Sequence, residues 1–140
     1  MKILATLTFS MLLTSISFAQ EITRAYELVK MGPEINSHYH EAAPIVSPDG
    51  NTLYIFVHNH PDNTYGKDGS QDIWMSKKSA DGTWSQVQHL GKPFNEHHSN
   101  QVFTVLPDGT LFIRGGKSKN SKGFSLVSTG GGLTELDVKD

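Results

Sequence analysis

The chain has 140 residues, room for one domain. It carries 12 Lys and Arg against 14 Asp and Glu, a net charge of −2, and its basic residues are scattered, which argues against a nucleic-acid footprint. There is no cysteine, which excludes disulfides, lipid attachment through cysteine and thiol catalysis.

The first residues have the pattern of a secretory signal. Lys2 supplies a minimal basic region, residues 3–16 an apolar run diluted by Thr and Ser, and Ser17-Phe18-Ala19 the small residues that precede a cleavage site. The run is shorter than the roughly 20 apolar residues of a membrane span. The expectation is a signal peptide over 1–19, cleaved before Gln20. That leaves a periplasmic or secreted chain with no integral membrane segment.

Residues 20–36 form a leading segment, in which 26–31 reads as the closing strand of a preceding unit. Gly32-Pro33-Glu34-Ile35-Asn36 resembles the later Gly91-Lys92-Pro93-Phe94-Asn95. Strands are predicted at 43–47, 52–58, 72–77 and 83–90. Ser47-Pro48-Asp49-Gly50 is the first turn: proline presets φ for the second turn position and glycine supplies the left-handed residue. Residues 59–71 form a long polar connection, and Ala80-Asp81-Gly82 makes the next hairpin. A second set of strands is predicted at 101–106, 110–114, 124–128 and 133–138, its first pair joined through Pro107-Asp108-Gly109. The two sets repeat with a period of about 59 residues, in the range of propeller blades rather than helical solenoids.

The segments Ala43-Pro44-Ile45-Val46-Ser47-Pro48-Asp49-Gly50, Gln71-Asp72-Ile73-Trp74 and Asp81-Gly82-Thr83-Trp84-Ser85 resemble the TolB-like, WD40-like (PD40) propeller repeat. The resemblance covers 32–114 well. It weakens afterwards, where Gly123 stands in the place of Asp72, Ser125 in that of Trp74 and Leu133 roughly in that of Trp84. It implies an all-β fold: an incomplete propeller of about two four-stranded antiparallel blades, over 37–94 and, in degenerate form, 95–140. The open faces of so short a propeller invite association with further blades or copies.

Candidate binding residues are few. His38/His40 and His58/His60 are each two apart, so in extended chain each pair points one way and would present two imidazoles to zinc. The oxygen-rich stretch 62–72 suits calcium but lacks EF-hand spacing. Trp74 and Trp84 fit a core between blades or, if exposed, a surface that stacks on a sugar or grips a partner. Glu41 and Glu96 lie near histidines, but no nucleophile elbow or phosphate loop is present.

The leading expectation is an exported, non-enzymatic protein-binding or scaffolding module of a bacterial envelope, or a fragment of a larger propeller. It would engage an envelope protein or other copies of itself and need no cofactor. The alternatives are a metal- or carbohydrate-binding module and the remnant of a propeller-containing hydrolase.

Overall fold

A computed structural model describes residues 28–115, 123–128, 130 and 132–136. The chain divides into Met1–Lys30 and Met31–Asp140. In the first unit the described residues are 28–30, all exposed and without regular structure. The predicted signal peptide lies outside the described residues.

Eight strands and no helix occur among the described residues of the second unit: β1 (His40–Val46), β2 (Thr52–His58), β3 (Gln71–Lys77), β4 (Gln88–His89), β5 (Gln101–Val105), β6 (Leu111–Arg114), β7 (Phe124–Val127) and β8 (Leu133–Leu136). They form two antiparallel four-stranded sheets, ordered β1-β2-β3-β4 and β5-β6-β7-β8. Both sheets are meanders, as short consecutive strands with tight turns favour.

The two sheets share a register. Val46 pairs with Leu53 and Ile45 with Tyr54, which in turn faces Met75. In the second sheet Val105 pairs with Leu111 and Thr104 with Phe112, which faces Leu126. Each first strand bears a bulge, between Ala42 and Ile45 and between Val102 and Thr104. Gly50 and Gly109 close the first hairpins with φ of 75° and 83°, conformations a side chain resists.

The sheets meet face to face. Tyr54 and Ile73 from the first pack with Val102, Leu111, Ile113 and Val127 from the second, and Phe94 of the linker is wedged against them. The opposite face of the first sheet carries Leu53, Ile55, Val57 and Trp74. Ile35 covers it, aided by Met31, Tyr39, Trp84 and Val87. Burying a large aliphatic side chain contributes roughly 1.5–3 kcal/mol, so these two layers are the main source of stability.

Among the described residues, three predictions differ by more than one residue. β1 begins at His40 rather than 43, because His40 finds a cross-strand partner in His58. β4 keeps only Gln88 and His89 of the predicted 83–90. The chain there leaves the ladder after a single bridge between Lys78 and Trp84, and Val87 N–H donates instead to Glu34 O. Residues 28–31, the described part of the predicted strand at 26–31, are not strand. In their place 32–36 forms a tight turn in which Ile35 and Asn36 N–H both donate to Gly32 O, matched by Phe94 and Asn95 on Gly91 O.

Candidate functional site

The topology gathers histidine at one end of the molecule. His40 opens β1, His58 closes β2, and His38 and His60 flank them. His97 and His98 precede β5 and are drawn to the same end, where Gln71 N–H donates to His98 O and Asn100 N–H to Gln71 O. The opposite end carries the plain turns around Asp49, Asp81 and Asp108. There hydroxyl and backbone donors (Ser47 and Asn51, Thr83, and Thr110) hold each carboxyl below its ordinary range.

A buried polar cluster fixes the histidine end. The Asp72 carboxylate is fully buried. It accepts from Thr64 N–H at 2.6 Å, His89 Nε2 at 2.7 Å and Asn100 Nδ2 at 2.9 Å. These three donors tie the carboxylate to the long connection, to β4 and to the linker. Asn95 brackets the next residue: its Oδ1 accepts from Ile73 N–H at 2.7 Å and its Nδ2 donates to Ile73 O at 2.9 Å. Asn63 accepts from Trp74 Nε1 at 3.0 Å and donates to Val57 O at 2.9 Å. Long connection, third strand and linker thus form one hydrogen-bonded body.

Above this base lies a ladder of rings. His89 meets Trp74 at 5.1 Å, Trp74 meets His60 at 4.4 Å, His60 meets Tyr39 at 4.4 Å and Tyr39 meets His38 at 4.0 Å. Burial pushes the His60 imidazole below its ordinary pKa; Asp62 opposes this, and His89 and His38 add to it. On the linker side, exposed Tyr65 stacks on His98 at 5.2 Å and donates its hydroxyl to Glu96 O at 3.0 Å.

The predicted site residues separate accordingly. His40 pairs across the sheet with His58, their rings perpendicular and 6.4 Å apart. His60 sits among rings, and its Nδ1 accepts from Asp62 N–H at 3.1 Å. The geometry therefore groups His40 with His58 rather than each histidine with its neighbour two residues on. Among the described residues no three His, Cys, Asp or Glu side chains converge on a metal position. Trp74 is 7% exposed and fills the core. Trp84 is partly buried under Lys78, whose Nζ stands 5.5 Å from its ring. Glu41 accepts from the Ser37 hydroxyl and backbone, and the Glu96 carbonyl serves Tyr65.

Sequence reasoning missed the asparagines. Asn95 and Asn100 carry as much of the site as Asp72, and for Asn95 the repeated Gly-x-x-x-Asn of 32–36 and 91–95 was the available signal.

No family model matches the chain, and no solved structure does. Over 92 residues, 66% of its length, the chain is 28% identical to a threonine–tRNA ligase of Thermoplasma volcanium, of which it spans 13%. A likeness of that extent does not show a shared family. Among the described residues no helix is long and apolar enough to cross a membrane.

Proposed function

We propose that this chain is an exported propeller-repeat protein of the cell envelope that acts by binding a protein partner, not by catalysis. Its two like sheets are read as blades. The observation that carries the binding role is the histidine end itself: His38, His40, Tyr65 and His98 are exposed there, around a buried polar base. Aromatic and imidazole side chains on a preorganised base favour protein recognition because little freedom is lost on binding. Asp72 and His89 of the base are bonded to each other, which supports binding over chemistry. A photo-crosslinker at Tyr65 or His98, in protein expressed with its own leader, should capture a discrete envelope protein. A crosslinker on the opposite end, at Asp81, should not. Equal capture from both ends would refute the assignment.

The His40–His58 pair favours a second reading, transition-metal binding. Two imidazoles on one tetrahedral ion have ring centroids about 5 Å apart, within a side-chain rotation of the observed spacing. Zinc should then raise the melting temperature, and His40→Ala or His58→Ala should each abolish the rise while His60→Ala leaves it.

A further inference from the structure

The shared register of the two sheets allows each uncovered surface to be compared with its covered counterpart. Val105, on the face of the second sheet that meets the first, is 8% exposed. Its counterpart Val46, on the outward face of the first sheet, is 50% exposed. At the other end, Tyr54 and Ile73 are buried by the second sheet, whereas their counterparts Phe112 and Phe124 are only half-buried. These two stack at 5.5 Å and, with Phe103 at 5.8 and 5.6 Å, form a three-phenylalanine patch on the outward face of the second sheet. Phe103 itself is 39% exposed.

The two open surfaces are therefore the two halves of an interface the chain already contains. In the internal interface a valine-bearing face and a wedge, Phe94 after a Gly-x-Pro turn, close on an aromatic face around Tyr54. The first sheet turns the same valine-bearing face outward: Ile35, its wedge after the equivalent turn, covers Leu53, Ile55 and Trp74 together with Met31, Tyr39, Trp84 and Val87, and leaves Val46 open. The second presents the aromatic face.

We propose that copies of this chain associate head to tail, the Val46 face of one copy seating on the Phe103–Phe112–Phe124 patch of the next. The contact repeats the internal sheet–sheet interface, so it is heterologous. Such contacts close into a ring when the rotation per copy divides a full turn, and otherwise run on as a filament. The partner is a second copy because this chain itself carries the complementary half. The inference does not depend on the histidine end, which lies at the ends of the strands rather than on these faces.

Sedimentation of the purified full chain tests it. The wild type should associate beyond a dimer at concentrations up to about 100 μM, where a contact of this kind is populated. Val46→Asp and Phe103→Asp should each leave monomers, since each places a carboxylate in an apolar contact. Both positions are exposed, so both variants should keep the sheet signature in circular dichroism. If either loses it, Val46→Lys or Thr104→Lys takes its place. An equimolar mixture of the two variants should form a 1:1 heterodimer that grows no further, because it retains one good half on each chain. A monomeric wild type overturns the proposal. So does association lost only with Phe103→Asp and not rescued in the mixture, which would mean patch-to-patch pairing. Association lost only with Val46→Asp overturns it equally.

Discussion

In the first sheet the third strand carries Asp72 and Trp74, opposite Val57 and Ile55; the second sheet has Gly123 and Ser125 at the same register. Around Asp72 the first sheet builds a three-donor anchor, and around Trp74 an outer core. At the same positions among its described residues the second sheet has the Ser125 hydroxyl donating to Gly115 O at 2.7 Å. One plan thus stands on two supports. The first sheet ties down its long connection through side chains, and the second packs its inner face on the first.

Transplanting the second sheet's residue is the strongest test of that contrast. Trp74→Ser should cost about 3–5 kcal/mol, the range for deleting a buried indole, and would leave Asn63 Oδ1 without its donor. Chemical denaturation reads it, and a loss under 1 kcal/mol would mean the outer core contributes little. Next in size is the pair of repeated asparagines. Asn95→Ala strips the Ile73 N–H of its side-chain acceptor, leaves Ile73 O with the Leu90 N–H at 3.3 Å, and should cost about 1–3 kcal/mol. Asn36→Ala, at the exposed counterpart, should fall within about 0.5 kcal/mol of wild type in the monomer. Equal losses would contradict the asymmetry.

Smaller effects sharpen the comparison within the first sheet. Ala43 holds a φ of 49° at the bulge, a conformation unfavourable for a residue with a Cβ. Ala43→Gly should therefore stabilise by up to about 1 kcal/mol, against the usual penalty for glycine in a strand; a clear loss of stability would count against strain there. The smallest effect concerns pH. His60 has its pKa lowered from 6.5, so the fold favours the neutral ring. Its contribution is whole above pH 6.5 and is lost as pH falls through the lower folded value. The melting temperature should fall on acidification through that window, and His60→Phe should flatten the slope.

Much of this fold was legible from local signals. The Pro-Asp-Gly turns and the apolar run at 52–58 each depend on neighbours in sequence, and the strands fell where those signals placed them; the strand the repeat placed at 26–31 did not form over its described part, 28–31. What was not legible depends on distant partners. β4 is shortened because Val87 bonds Glu34, some fifty residues away. The histidine pairing follows the β1–β2 register, which the alternation along either strand does not reveal. The Asp72 cluster draws on Thr64, His89 and Asn100, polar residues unremarkable until the linker folds back over β3.

That fold-back assigns the linker to a cooperative unit. Residues 91–100 join the two sheets, yet their side-chain bonds run to Ile73, Asp72 and Gln71 of the first. The boundary between independently opening units therefore falls after Asn100 rather than midway between the sheets. In amide hydrogen exchange, the Asn95 and Asn100 N–H groups should keep pace with β3 and not with β5. A transient opening of the second sheet would leave the linker shut, and the first sheet would hold the hinge.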